Sequence, residues 1–346
     1  MSKPRLAVST LPFVLAALTA CGSPTETPRP EQPPVAETTA SPLTREAVEA
    51  AVFESVPAPV EGQPARPDAA TARAQILLDR ANFSPGVIDG LGGDNTRQAI
   101  AAFEKAAGLP QDGVLDAEVF RRLTAGDDGR VLTDYTITAA DLAGPFVGQV
   151  PANLTDMARL QTVGYATPLE MLAEKFHMTE GLLQALNPGA DFGKAGQTLV
   201  VAAVAQTDLA GDVAHIVVDK AERSVRVYDA ADRLLAFYPA TIGSSARPAP
   251  SGELSVVGVA PEPNYTYDPD RVSYDRGDRK VIVAPGPNNP VGSVWIDLSR
   301  DTYGIHGTPD PSKVGKTFSS GCVRLTNWDA EQLASKVKPG VRVTFL

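Results

Sequence analysis

Cysteine is nearly missing from this chain: two residues in 346, Cys21 and Cys322, which excludes a disulfide-stapled scaffold. Histidine is almost as scarce, with three residues. His177 has no Cys, His or carboxylate cluster beside it and His215 opens a strand with no nucleophile nearby, so both read as structural. No metal or cofactor is expected. Basic charge is in deficit: 31 Lys and Arg face 41 Asp and Glu, a formal charge of −10, so nothing favours nucleic acid or an anionic membrane surface as a partner. The N-terminal apolar run, Leu6 to Ala20, is too short to span a bilayer. What remains, 43% hydrophobic and 6% aromatic, is a soluble chain long enough for two or three small domains.

That apolar run follows Lys3 and Arg5 and ends in small residues, the pattern of an export signal over residues 1–20. Leu18-Thr19-Ala20-Cys21 resembles the lipobox of bacterial lipoproteins. The resemblance implies that Cys21 is acylated, becomes the mature N-terminus and anchors the protein to a membrane of the cell envelope, facing the periplasm. Gly22 is not the aspartate that retains lipoproteins in the inner membrane, which favours the outer one. Cys322 is then left without a disulfide partner in an oxidising compartment. It reads as a reactive thiol, an intermolecular bridge or a structural buried cysteine. Residues 21–67, rich in Pro, Thr and Glu, read as a disordered tether with a short helix near Leu43 to Glu54.

The first folded segment is 68–125. Ala74, Leu77, Leu78 and Ala81 recur at helical spacing, Asp94 or Asn95 is the expected cap of a second helix that buries Ile100 and Phe103, and a third short helix covers Ala117 to Leu123. With PGVIDGLGGDNTRQAIAAFEKAAGLPQDGVLD, this three-helix pattern resembles the peptidoglycan-binding domain type 1. After a linker, 126–160, the stretch 161–204 reads as helix, turn, helix and strand. Its LAEKFHMTEGLLQALNPG core and closing Gly-x-x-Leu-x-Val resemble a LysM module, a small α+β glycan-binding fold.

From Val213 the pattern becomes short β-branched runs, a meander of strands. A long irregular stretch, 261–292, carries Tyr265, Tyr267 and Tyr274 and reads as a lid or a disordered loop. VWIDL and TYGIHG follow as strands, the second ending at His306. Thr326 or Asn327 caps a last helix with Ala330, Leu333, Ala334 and Val337 on one face. Cys322 thus sits in a loop just ahead of a helix. A thiol needs a base or a lowered pKa to act as a nucleophile, and His306 is the histidine in the same domain near it in sequence. Gly321 lets the backbone approach a ligand, amides at Gly321 and Cys322 can meet an oxyanion, and Arg324 can hold a carboxylate. Lys313 and Lys316 read as solvated loop charges.

Ile-His-Gly-Thr at 305–308 and Ser-Ser-Gly-Cys-Val-Arg-Leu at 319–325, with PAPSGELSV and APGPNNPVG upstream, resemble the motifs of the L,D-transpeptidase (YkuD) family over 213–346. The resemblance implies a mainly-β catalytic domain with a C-terminal helix that acts on peptidoglycan stem tetrapeptides and glycan strands. Cys322 would attack the third residue of a stem, with His306 as base and release of terminal D-alanine, and a second stem's amine would take the acyl group to give a 3→3 crosslink. Amides of Ser320, Gly321 and Cys322 would form the oxyanion hole. Arg324 and Ser319 would order site and substrate, and Gly307 and Thr308 would shape the loop beside the substrate. Two departures stand out: Ser320 where many members have histidine, and Leu254 where an aromatic is common. A same-fold hydrolase and a non-catalytic wall-anchoring lipoprotein are the alternatives.

Overall fold

The computed structural model describes residues 43–52, 66–125, 130–204, 209–245, 247–272 and 274–346. The signal segment, Cys21 and most of the tether lie outside them. Helices in the first half begin where a side chain can close the first turn. Thr44 accepts from the Ala47 amide at the start of α1 (Arg45–Ala50), and Asp68 accepts from Thr71 at 2.8 Å at the start of α2 (Ala69–Arg80). The next helix, α3 (Asp94–Ala107), starts differently. Asp94 and Asn95 lie inside it, Gly93 occupies the cap position without a side-chain bond, and Asn95 instead donates to the Val314 carbonyl at 2.9 Å in the other half of the chain. Asp116 caps α4 (Ala117–Thr124) in the ordinary way.

Two expectations about connecting segments are corrected. Within 21–67 the short helix expected near 43–54 is α1, and it is docked rather than part of a free tether: it buries Val48 completely, Glu49 accepts from the Val131 and Leu132 amides, and Arg73 donates to the Glu49 and Ala51 carbonyls. A capped turn with one core anchor and its end groups bonded does not stay free. Nor is 126–160 a plain linker, since it contains β1 (Leu132–Thr136) and α5 (Leu154–Met157). After them come α6 (Pro168–Lys175), α7 (Glu180–Leu186) and β2 (Thr198–Ala202). β1 pairs antiparallel with β2, Leu132 opposite Ala202 and Thr136 opposite Thr198. The α+β unit therefore begins at 132 rather than 161, with residues 137–167 inserted between its first strand and its helices. It also has no core of its own. Ile76, Leu78, Ala99, Leu172, Leu183, Leu199 and Val201 belong to one buried cluster, so the three helices and the α+β unit are packed as one body.

The second half is a β domain made of β3 (His215–Asp219), β4 (Ser224–Tyr228), β5 (Leu234–Pro239), β6 (Ile242–Gly243), β7 (Gly252–Pro261), β8 (Tyr265–Tyr267), β9 (Val281–Val283), β10 (Val294–Leu298), β11 (Gly304–His306), β12 (Phe318–Ser319), β13 (Val323–Arg324), then α8 (Asn327–Lys336) and β14 (Arg342–Phe345). Eight strands form one sheet in the order β13-β11-β10-β7-β14-β3-β4-β5. The alternation of side chains sorts its two faces. Val294, Ile296, Leu298, Ile305 and Val323 point into a core with Ala330 and Leu333 of α8, whereas Trp295, Asp297, His306 and Arg324 occupy the opposite face.

The long stretch expected as a lid or a disordered loop contains the β8–β9 hairpin. Tyr267 and Val283 pack with Leu154, Met157 and Val163 of the inserted segment. Main-chain bonds fasten the two: the Val163 amide donates to the Pro285 carbonyl at 2.9 Å and the Asn288 amide to the Val163 carbonyl at 3.0 Å. Gly286 permits this approach, because at φ +146 a Cβ there would lie 2.3 Å from the Val163 oxygen.

Candidate active site

The site grows from strand pairing. β11 and β13 run parallel with His306 level with Arg324 and Ile305 level with Val323, which brings Cys322, one position before β13, level with Gly304. Residues two apart share a face, so Cys322, Arg324 and His306 face the same side of neighbouring strands. β10 adds Trp295 directly opposite His306. The indole stacks on the imidazole at 5.4 Å between ring centres, and it also runs beneath Gly304, where a Cβ would sit 2.4 Å from the ring. The fifteen residues of chain between His306 and Cys322 are thus closed by a two-strand ladder.

The loop ahead of Cys322 is held by its own serine. Buried Ser319 donates to the Cys322 carbonyl at 2.5 Å and accepts from the Gly321 amide at 3.1 Å. Gly321 adopts φ +120, with the Tyr303 ring 3.0 Å from where a Cβ would stand. Ser320 lies at the rim, its hydroxyl 3.4 Å from Arg247. Among the three amides considered for an oxyanion, that of Gly321 is therefore occupied by Ser319, and those of Ser320 and Cys322 are the donors left to draw on. The Cys322 thiol donates to the Thr302 carbonyl at 3.6 Å.

His306 is buried, and its Nδ1–H donates to the Gly307 carbonyl at 2.7 Å, which leaves the lone pair on Nε2. Burial, reinforced by the Arg324 charge, pushes its pKa down to about 3 against the pull of the Gly307 and Val291 carbonyls. Burial likewise pushes the Cys322 thiol up, offset in part by the Gly304 amide and Arg324. Both groups rest neutral. Neutral resting groups do not form a standing thiolate–imidazolium pair.

A cleft of about 250 Å³ reaches this face at Arg324 and Thr308; Arg276, Lys313 and Thr317 line it together with Val150, Leu154 and Met157 of the inserted segment, while Cys322 and His306 are not among its lining residues. Burial and the nearby Arg276 charge pull Arg324 down from its ordinary value. Its Nε is buried with no hydrogen-bond partner among the described residues. Lys313, in contrast, is paired with Asp310 at 2.6 Å. Gly307 and Ser319 shape the surrounding chain and are buried; Thr308 is the member of that group that reaches the cleft. No cluster of three metal-ligating side chains occurs among the described residues.

Residues 213–344 match the family model described as the L,D-transpeptidase catalytic domain, and residues 68–123 match a putative peptidoglycan binding domain. The putative L,D-transpeptidase YkuD of Bacillus licheniformis is 33% identical over 179 residues, 51% of this chain and 92% of that protein. The chain belongs to the YkuD family of L,D-transpeptidases. The putative L,D-transpeptidase YkuD of Bacillus subtilis is 29% identical over 178 residues, 51% of this chain and 92% of that protein. The probable L,D-transpeptidase ErfK/SrfK of Escherichia coli is 32% identical over 187 residues, 52% of this chain and 59% of that protein. Among solved structures, an L,D-transpeptidase from Mycobacterium smegmatis aligns with TM-score 0.32 at 16% identity, covering 45% of this chain and 76% of that one.

The other two histidines, His215 inside the L,D-transpeptidase domain and His177 outside it, stand apart from Cys322. His215 stacks on Tyr228, and His177 stacks on Trp328 and bonds Asp79. Several site residues carry no signal in a motif of their own. Trp295 was legible only through the alternation of VWIDL, which sets it opposite Val294 and Ile296. Asn327, weighed only as a helix cap, is the first residue of α8, and the capping oxygen belongs to Thr326, which accepts from the Asp329 amide at 3.2 Å. Arg276 lies in the irregular stretch, where sequence position gives no indication of what it faces.

Proposed function

We infer that this L,D-transpeptidase crosslinks peptidoglycan by acyl transfer through Cys322. The observation that carries the reading is the shared face of Cys322, His306 and Arg324 on paired strands beside an open cleft. Cys322 Sγ attacks the carbonyl of the third residue of a tetrapeptide stem while His306 Nε2 takes the thiol proton. The C–N bond to the terminal D-alanine breaks as His306 returns that proton to the leaving amine, and a thioester remains. A side-chain amine of a second stem then attacks the thioester, giving a 3→3 crosslink and regenerating the thiol. Arg324 and Arg276 supply positive charge for a stem carboxylate, consistent with a buried Arg324 Nε that no group among the described residues satisfies. The Ser320 and Cys322 amides are the donors for the oxyanion.

The remaining assignments follow from the sequence. The 68–123 helices and the α+β unit beginning at 132, whose strand–helix–helix–strand order suits a LysM-like module, would hold glycan strands near the cleft. A lipid on Cys21 would anchor the protein to the outer membrane, on the periplasmic side. Incubating purified tetrapeptide muropeptides with wild type and Cys322→Ala, followed by mass spectrometry, tests the central claim. Crosslinked dimers with release of D-alanine, lost in Cys322→Ala, are the expected result. Monomeric tripeptide alone would make the enzyme a hydrolase, and identical profiles from both proteins would leave a wall-binding protein without this chemistry.

A further inference from the structure

The peptide unit between Gly307 and Thr308 is bonded at both ends. Its carbonyl accepts the His306 Nδ1 proton at 2.7 Å, and its N–H donates to Asn327 Oδ1 at 3.0 Å. Asn327 Oδ1 also accepts from the Ser293 amide at 3.1 Å, so one oxygen ties together the loop after His306 and the loop before β10. Its amide nitrogen is used as fully, donating to the Pro287 carbonyl at 3.2 Å and to Glu174 Oε1 at 2.7 Å. The side chain is 2% exposed. Two glycines make room for it, since a Cβ at Gly292 or at Gly307 would lie 2.1 Å from Asn327 Oδ1. Glu174 comes from α6, outside the transpeptidase domain, and Tyr165 donates to the same carboxyl oxygen at 3.3 Å.

We propose that Asn327 and Glu174 are positioning residues for His306, acting through the Gly307–Thr308 peptide. Glu174 fixes the Asn327 amide so that its oxygen faces the Thr308 N–H, and this holds the peptide plane with its carbonyl toward Nδ1. The carbonyl keeps the ring proton on Nδ1 and the lone pair on Nε2. Each bond in the series polarises the next, because the peptide donates at one end and accepts at the other. If the peptide turns, Nδ1 loses the Gly307 carbonyl that accepts from it at 2.7 Å, the tautomer is no longer fixed, and a ring protonated on Nε2 cannot take a proton from Cys322. The α+β unit thereby completes the orientation of a histidine that belongs to another domain. The proposal rests on reading Cys322 and His306 as nucleophile and base.

The experiment compares full-length wild type, Asn327→Ala, Glu174→Ala and Glu174→Gln by crosslinking kinetics on tetrapeptide muropeptides, by thermal unfolding, and by the imidazole 15N shifts of His306. Asn327→Ala and Glu174→Ala should lower kcat about 10- to 100-fold with KM within about threefold, the scale expected for a displaced catalytic group. In both, the His306 shifts should move from a fixed Nδ1–H tautomer toward exchange between tautomers. Glu174→Gln, which keeps an oxygen for the Asn327 amide, should retain kcat within about threefold and the wild-type shifts. Unchanged His306 shifts in Asn327→Ala, or a Glu174→Gln as impaired as Glu174→Ala, would overturn the proposal. If Asn327→Ala does not fold, the Glu174 pair decides by the same criteria. Wild type that forms no crosslink while Asn327→Ala still moves the His306 shifts would remove the transpeptidase reading and leave the positioning role standing.

Discussion

At Gly304 a missing side chain is what lets two others stack. The Trp295 ring passes 2.4 to 2.7 Å from the place a Cβ would occupy and continues to the face of His306. Gly304 does not need a left-handed backbone, so substitution acts through space alone. Gly304→Ala should displace the indole, cost about 1–3 kcal/mol of stability and lower kcat about 10- to 100-fold by moving His306. Adding Trp295→Phe, with its shorter ring, should recover part of both, and a double variant no better than Gly304→Ala alone would contradict this account. His306 and Cys322 were legible in the sequence because scarce residue types stood in strong local patterns. Asn327 and Trp295 were not, since their roles are set by what lies across the strands and loops, and neither residue type implies a particular partner.

Among the elements, the period of two in the strands was read correctly wherever one face was apolar, as in VWIDL, and the face of α8 followed from Ala330, Leu333, Ala334 and Val337. Elements defined by distant partners were harder to see. β1 has only Leu132 fully buried along its length and pairs with β2 across an insertion and two helices, so its five residues look like any loop. The hairpin in 261–292 was equally hidden, because its core comes from Leu154, Met157 and Val163. The junction of that hairpin with the inserted segment depends on Gly286. Gly286→Ala should destabilise the protein by more than about 1 kcal/mol, because positive φ and contact with the Val163 carbonyl penalise the methyl together. Amide exchange should rise first in 147–164 and 262–292. A loss of stability with exchange in those two segments unchanged would show that Gly286 does not hold them together.

At the scale of the whole chain, a buried polar centre joins the three-helix segment, the α+β unit and the β domain among the described residues. His177, between α6 and α7, stacks on Trp328 of α8 at 4.7 Å and bonds Asp79 of α2 at 3.1 Å. Ser84 donates to Asp329 at 2.9 Å, and its amide donates to the Phe237 carbonyl, also at 2.9 Å. Burial and the Asp79 charge push the Asp329 carboxyl up to about 7, and burial with Glu170 and Glu331 raises Glu174 to about 7 as well. Burial works to lower His177, but Asp79 outweighs it and the net direction is upward. Between the ordinary carboxyl range and pH 7, the folded protein keeps protons on Asp329 and Glu174 that the unfolded chain has released, so their contribution to stability falls as pH rises through that window. His177 extends the fall above its ordinary 6.5. His306 acts oppositely: held near 3 in the fold, it is protonated first in the unfolded chain, so its contribution grows from about pH 3 to 6.5 and is then complete. Above pH 6.5 only the falling contributions of these four groups remain. The melting temperature should therefore decline from pH 6.5 to 8 in one transition shared by all modules. Asp329→Asn keeps an oxygen for Ser84 and cannot ionise, so its melting temperature relative to wild type should rise from pH 4 to 7 and then level off. A difference that stays flat across that range would mean Asp329 is ionised in the fold throughout, and that the junction does not hold a proton between the domains.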